Sequence, residues 1–262
     1  MINSNSVETL RQSLESVLTQ LDENFEVVVV DNVSSDGSRE ILEDFERKGN
    51  IRLVIQKCSR GLGRQIAFEQ SRGRYVVLNV DTDCLYKPMI PRLLEIYRNR
   101  FPDTCMLMHG FAICTRGLVN QVGGYRDLQF SEDSDLYARC ARVGKLRYLD
   151  FETRYAMRQE GSGSIAHRMV YKFQRARDLY SLGLNPTRSL SSSRWKRWFL
   201  QRPIIGLGYI AHFFETDLSN PALDGFNPWN YQVQLPTELK LIAASAKGTF
   251  NEDNVGVMSF RP

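Results

Sequence analysis

Three acidic clusters, each closing or following an apolar run, hold the residues of this 262-residue chain that could do chemistry. The first is Asp31-Asn32-Val33-Ser34-Ser35-Asp36-Gly37-Ser38, directly after the valine run Phe25–Asp31. A carboxylate at a strand tip can accept from a nucleobase N–H or a ribose hydroxyl, and the N-terminus of a following helix can receive an anion. Asp36 or Ser35 can also simply cap that helix. The second is Asp81-Thr82-Asp83, at the end of the run Tyr75–Asp81. Two carboxylates one residue apart suit a hard divalent cation, since Mg²⁺ or Mn²⁺ takes one or two protein carboxylates and completes its shell with substrate phosphates. A solvated acidic turn has the same spelling. The third is Ser131-Glu132-Asp133-Ser134-Asp135, which opens a helix after Gly123-Gly124-Tyr125. A carboxylate there could serve as general base toward an acceptor hydroxyl, and acids are also favoured in a first helical turn by the dipole alone.

These clusters need elements to hold them. Val7, Leu10, Leu14, Val17, Leu18 and Leu21 recur at helical spacing and predict a helix over 6–21. Phe25–Asp31 reads as a strand buried on both faces. Ile51–Ile55, Tyr75–Asp81, Met106–Ile113 and Leu146–Asp150 read as further strands, with helices from near Asp36 and over 62–71, 88–100 and 131–143. Strands alternating with helices predict an α/β fold, a mostly parallel sheet with helices on both faces. Ligands of such sheets bind beyond the carboxyl ends of the strands.

Composition sets the outer limits. Hydrophobic residues make up 42% and charged residues 24%, which excludes a fibrous or wholly disordered chain. A formal net charge of +4 is too small to argue for nucleic acid. The five cysteines show no metal-ligand spacing and are expected to be free thiols in a reducing compartment, the cytoplasm. MINSNSVETL does not read as a signal peptide, and no apolar run is long enough to span a bilayer. Arg168–Arg202 holds nine basic residues against the single acid Asp178, which predicts a boundary near Gly161–Gly163. The expected organisation is therefore a nucleotide-binding and catalytic domain over 1–160 and a mainly helical, basic extension over 161–262. Within it, Ser191–Phe214 interleaves Arg and Lys with Trp195, Trp198 and Phe199. That pattern suits peripheral contact with the inner face of a membrane, and equally a helix packed on the first domain with its basic stems snorkelling.

The order EVVVVDNVSSDGS, RGLGRQIAFEQSRGRYVVLNVDTD, GGYRDLQFSEDSDL resembles family 2 glycosyltransferases of the GT-A fold, over about residues 5–150. The resemblance implies a Rossmann-like fold and an inverting, metal-dependent enzyme that uses a nucleotide-diphosphate sugar. It assigns Asp31, Asp36 and Arg64 to the nucleotide, Asp81 to nucleotide and metal, and Asp83 to Mn²⁺ or Mg²⁺ as direct ligand. It makes Asp133 the base, with Glu132 and Asp135 supporting it or touching the acceptor, a glycan or a lipid-linked or polyprenyl-phosphate group. A phosphatase of the Asp-x-Asp type is disfavoured by Leu85, and a dinucleotide loop by Ile66 in place of a third glycine after Gly61 and Gly63. A glycosidase leaves the loop at Asp31 without a role. One departure stands out: Asn5–Leu10 matches only the tail of the family's opening pattern. The central first strand before it is expected to be absent, with residues 25–31 and 75–81 left unpaired or pairing directly. Two expectations follow from that departure: a start placed too far downstream, or a truncated, inactive module that binds a partner or a membrane surface.

Overall fold

The computed structural model describes residues 1–157 and 226–241, with 170, 173–175, 177, 178 and 182 between them. In chain order these residues form β1 (Ile2–Asn3), α1 (Val7–Leu18), β2 (Val28–Asp31), α2 (Ser38–Arg47), β3 (Arg52–Ile55), α3 (Arg60–Gln70), β4 (Tyr75–Leu78), β5 (Cys84–Tyr86), α4 (Ile90–Arg100), β6 (Cys105–His109), β7 (Ala112–Thr115), α5 (Arg116–Gln121), α6 (Glu132–Arg142), β8 (Leu146–Glu152) and β9 (Arg154–Ala156). The boundary expected near Gly161–Gly163 and the basic run 191–214 lie outside the described residues.

The valine run folds as its composition dictates. All four residues of β2 are buried, as suits a β-branched strand covered on both faces. Val29 packs with Leu10, Leu14 and Leu42 from α1 and α2, while Val28 and Val30 pack with Ala67 of α3 on the opposite face. β3 and β1 flank β2, both parallel to it. A second sheet runs β4-β7-β6-β8, and the small antiparallel pair β5-β9 lies after Asp83. Ile113 joins Leu93, Tyr97 and Met106 in one layer, whereas its neighbours Ala112 and Cys114 join Leu118, Leu136 and Tyr148 in the other. That alternation is the two-residue period of a strand covered on both sides.

Two expectations are corrected. Met106–Ile113, read as one strand, is a hairpin of β6 and β7 that turns at Gly110, where φ is +119°. A Cβ there would collide with Thr153 as well as meet a strained conformation. The hairpin makes the second sheet mixed: β4-β7 and β6-β7 are antiparallel, and only β6-β8 is parallel. The first strand, expected to be absent, is present over Ile2–Asn3. Ile2 and Asn3 pair with Val30 and Asp31, and Ile2 also bridges Asp81, so β1 joins the two larger sheets in the central position.

Two further pieces finish the fold. Residues 228–231 form a short 3₁₀ turn, and Trp229 packs its ring 4.9 Å from Tyr148 of β8. All five cysteines are free thiols, and no helix among the described residues is long and apolar enough to cross a membrane.

The amino terminus has an electrostatic cost. Met1 is partly exposed as a residue, but its ammonium is enclosed and donates to the Val28 carbonyl at 2.6 Å. Burial, with repulsion from Arg64, pushes its pKa down from 8.0 to about 5, against a smaller opposing pull from Asp81. Arg64 and Asp81 both keep their charge across that window. Between those values the unfolded chain binds the proton that the folded chain rejects, so this stability is present above about pH 8 and is lost toward pH 5. Relative to an N-acetylated chain, the free-amine chain should lose on the order of a few kcal/mol over that range in denaturant unfolding. Parallel pH profiles for the two chains would contradict this reading of the amine.

Candidate active site

The three acidic clusters converge where the carboxyl ends of β2 and β4 meet the start of α6. The piece that joins them is a cation. Arg64, on α3 and only 7% exposed, donates from Nη2 to Asp81 Oδ1 at 2.8 Å and from Nε to Glu132 Oε1 at 2.9 Å. α3 is close enough because its second residue is glycine: Gly61 donates to the Leu128 carbonyl at 2.8 Å, and a Cβ on it would overlap the Arg126 carbonyl. Ser59 caps the same helix, accepting from the Leu62 N–H at 3.0 Å.

Each carboxylate then has a distinct state. Asp81 carries a second cation, Arg154 of β9, at 3.0 Å from Oδ2. Burial opposes the charge on Asp81, but Arg64 and Arg154 outweigh it and hold the carboxyl below its usual range. Glu132 is 2% exposed, and there burial wins: despite Arg64 its carboxyl is pushed upward. Asp83 is partly exposed and, among the described residues, its carboxylate accepts only the weak Cys84 thiol bond, at 3.4 Å. Asp133 is partly exposed in the first turn of α6, and its Oδ1 accepts from the Ser134 N–H at 2.6 Å. Neither Asp83 nor Asp133 takes part in an ion pair among the described residues. Among the described residues they are the two carboxylates of the second and third clusters outside any ion pair.

The remaining sequence candidates are turned inward. Asp135 is fully buried, with Arg139 at 2.6 Å and Arg126 at 3.2 Å. It braces α6 against the loop that precedes it. Glu132 likewise positions Arg64 and offers no open face. Asp31 is fully buried at the tip of β2 and accepts from Asn3 Nδ2 at 2.7 Å and from the Ser34 N–H and hydroxyl at 2.8 and 2.6 Å. In this structure it braces the loop after β2. Asp36 is exposed and accepts from the N–H groups of Ser38 and Val7 at 3.0 and 2.9 Å, tying α2 to α1. Asp36 precedes the N-cap Gly37, so these bonds close the turn ahead of α2. Burial alone would raise its pKa, but the hydrogen bonds from Ser38 and Val7 hold it below the usual range.

Three contributors escaped the sequence. Arg154 follows Asp81 by 73 positions and meets it only because β9 pairs with β5. Asn3 reaches Asp31 only through the short β1. Asp178, noted only as the lone acid of a basic stretch, accepts the N–H groups of Gln129 and Phe130, both at 2.8 Å, and so pins the loop that enters Ser131. Ser131 itself sits at φ +61°, a conformation that needs such support.

The donor set was compared with what a divalent cation requires. Among the described residues no group of three or more His, Cys, Asp or Glu surrounds one point. Asp81 has both oxygens engaged by guanidinium groups, whereas Asp83 is open. One open carboxylate is enough for a cation whose shell is completed by phosphate oxygens and water. Arg60, at the start of α3, is exposed, and Arg154, paired with Asp81, is half-buried.

Residues 1–123 match the family described as Glycosyl transferase family 2. A putative teichuronic acid biosynthesis glycosyltransferase, TuaG of Bacillus subtilis (strain 168), is 27% identical over 99 residues, 37% of this chain and 39% of that one. An undecaprenyl-phosphate 4-deoxy-4-formamido-L-arabinose transferase of Pseudomonas syringae pv. syringae (strain B728a) is 34% identical over 96 residues, 35% of this chain and 28% of that one. The chain thus matches well under half the length of these curated relatives. Among solved structures, the mannosyltransferase PcManGT of Pyrobaculum calidifontis, in complex with GDP-Man and Mn²⁺, superposes with a TM-score of 0.54 at 15% identity, over 96% of this chain and 79% of that one. TarS 1–349 of S. aureus with UDP-GlcNAc gives 0.53 at 18% identity, over 81% and 71%. The shared fold is GT-A.

If Arg64 is the link between the clusters, its loss should be felt in stability as well as function. Arg64→Met leaves Asp81 and Glu132 beside an apolar stem, and removing one partner of a buried ion pair costs about 3–5 kcal/mol. Denaturant unfolding of the variant should show a loss of that order. A change under about 0.5 kcal/mol, the size of an ordinary surface substitution, would contradict the role given to Arg64.

Proposed function

We propose that this chain, whose residues 1–123 belong to glycosyl transferase family 2, moves a sugar from a nucleotide-diphosphate donor to an acceptor hydroxyl or phosphate. The observation that carries this reading is the division of labour at the site: Arg64 gathers Asp81 and Glu132 into one buried pairing, and Asp83 and Asp133 stay open on either side. A site so divided offers one carboxylate to a cation and one to a proton.

The residues act as follows. Arg60 and Arg154 present guanidinium groups to the diphosphate, and bidentate N–H donors suit phosphate oxygens. Asp83 would hold Mn²⁺ or Mg²⁺, whose charge, when bound, would ease departure of the diphosphate. Asp81, kept ionised by its two cations, orients Arg154 toward the donor. The loop braced by Asp31 and Asp36 accommodates the nucleoside. Asp133 accepts the proton of an acceptor hydroxyl while its oxygen attacks the anomeric carbon. The bond from that carbon to the diphosphate oxygen breaks on the opposite face and its electron pair leaves with the diphosphate, so configuration inverts. Positioning of the two substrates supplies much of the remaining rate.

The comparisons support the donor class and suggest the acceptor class. Solved relatives are titled with GDP-Man and UDP-GlcNAc, and a curated relative is named for undecaprenyl phosphate. A lipid-linked or glycan acceptor of cell-envelope type, met at the inner membrane face, is consistent with both.

The donor half is tested by thermal shift with uridine, guanosine and thymidine diphosphates, each with and without Mn²⁺. At about 100 times its dissociation constant a ligand stabilises by roughly 2.7 kcal/mol. A metal-dependent rise is expected with one nucleotide and should vanish in Asp83→Ala. No rise with any of them, in a sample that melts cooperatively, would instead favour an inert module of this fold. The catalytic half is tested by Asp133→Asn, which should lower the rate about 10²- to 10⁴-fold while nucleotide binding and melting temperature stay unchanged. Near-normal turnover would remove Asp133 from the role of base.

A further inference from the structure

A group of aromatic and acidic side chains stands at the carboxyl ends of β6 and β8, outside the three acidic clusters. β4 and β6 are both antiparallel to β7, and β8 is parallel to β6, so β4, β6 and β8 all end on the side where Asp81 and Asp83 lie. His109 is the last residue of β6, and its Nε2 lies 2.8 Å from Asp150 Oδ1 and 2.9 Å from the Tyr148 hydroxyl, both of β8. Tyr148 meets the rings of His109 and Trp229 edge-on, at 5.7 and 4.9 Å. Tyr148 is buried, whereas Trp229 is 50% exposed and the side chains of His109 and Asp150 are 40% and 48% exposed.

The exposed indole is held in place from below. Asn227 Oδ1 accepts the Trp229 N–H at 3.1 Å, Pro228 sets the first position of the 3₁₀ turn, and the Val233 N–H donates to the Tyr148 carbonyl at 2.9 Å. A face fixed in this way loses little side-chain freedom when a ligand arrives. It also stands near the proposed base. α6 has 11 residues, which span about 16 Å of helix, and a short turn then reverses the chain into β8. Leu146 to Asp150 covers about 16 Å of strand. Asp150 is therefore level with the first turn of α6, which carries Asp133.

The chemistry of the group selects its ligand. An indole face is electron-rich, and the C–H groups on the flat side of a pyranose ring suit it. At its rim, Asp150 Oδ2 and His109 Nδ1 bond to nothing among the described residues. With the Nε2 hydrogen assigned toward Asp150, both atoms accept hydroxyl protons. Asp150 and its exposed neighbour Glu152 make the rim negative, which opposes a phosphate and favours a neutral polyol. We propose that Trp229, His109 and Asp150 form an acceptor subsite that holds one neutral pyranose ring of a glycan, stacked on the indole and hydrogen-bonded at the rim. The role as acceptor subsite rests on the transferase reading; the binding of a sugar does not. The same chain turn serves both substrates: the His109 carbonyl accepts the Thr153 N–H at 3.0 Å, and the next residue, Arg154, pairs with Asp81.

The test is ligand-observed NMR on the full chain, without turnover. The probes are the methyl glycosides of glucose, galactose, mannose and N-acetylglucosamine, with inorganic phosphate as the anionic rival. Saturation transfer is expected to protons on one face of at least one glycoside, with affinity about tenfold weaker in Trp229→Ala. Nucleoside diphosphate binding should be the same in Trp229→Ala as in the unsubstituted protein. No transfer to any of the four glycosides would overturn the proposal, as would transfer that Trp229→Ala leaves unchanged. Phosphate line broadening abolished by Trp229→Ala would overturn it too, by making the group an anion site. Should Trp229→Ala fail to fold, Asp150→Ala decides, since it removes only an exposed side chain: weaker glycoside binding supports the subsite, and equal binding overturns it. Glycoside binding without nucleotide binding would leave the sugar site standing and remove the transferase reading. Nucleotide binding without glycoside binding would do the reverse.

Discussion

The pairing of the buried Arg64 guanidinium with Asp81 and Glu132 is the constraint on which the rest of the site depends. A guanidinium at 7% exposure must be matched by fixed negative charge, because it cannot discard its proton. That requirement draws the end of β4 and the start of α6 to one point, although 51 positions separate the two acids. It also demands that α3 lie against the 126–128 loop, which is why Gly61 has no room for a side chain. Once these three elements are fixed, Asp83 and Asp133 project at the opening as a consequence of chain connectivity: each is within two residues of an acid that Arg64 holds.

Much of this was legible in the sequence, because local composition dictated it. A valine run makes a strand buried on both faces, and β2 is one. Apolar residues at helical spacing make α1, whose Leu10 and Leu14 are fully buried. The first two acidic clusters close apolar strands and the third opens a helix, as their sequence neighbours require. What escaped was decided by distant pairing. Arg154 has no local signal, since its partner is supplied by the pairing of β9 with β5. Gly110 looked like a pause within one apolar run, because a tight hairpin of buried residues has the same composition as a single long strand. A strand of two residues, Ile2–Asn3, is too short to show any period and was read as absent. Asp135 and Glu132 matched an acidic motif, but the type of a residue does not reveal whether arginines enclose it.

The sheet and the site are one problem viewed from two ends. β1 is the only connection between the two larger sheets among the described residues, and it also delivers Asn3 to Asp31 and Ile2 to Asp81. The hydroxyl of Thr82, between the two metal-type carboxylates, lies 3.0 Å from Asn3 Oδ1. The order of the first and second clusters thus rests on residues 2 and 3. Asp178 plays the matching part for the third cluster, holding the loop ahead of Ser131 from a segment of the chain's latter half. A GT-A sheet supplies the frame, and these side-chain braces set the spacing at which a donor and an acceptor could meet.

The most direct measurement is a crystal structure of the protein grown with Mn²⁺ and the nucleoside diphosphate that binds, collected at a wavelength where manganese scatters anomalously. The account predicts an anomalous peak coordinated by Asp83 and by the diphosphate, with Arg64 still joined to both Asp81 and Glu132 and Asp133 facing the far side of the diphosphate. A peak away from Asp83, or a nucleotide bound elsewhere than at the ends of β2 and β4, would contradict it.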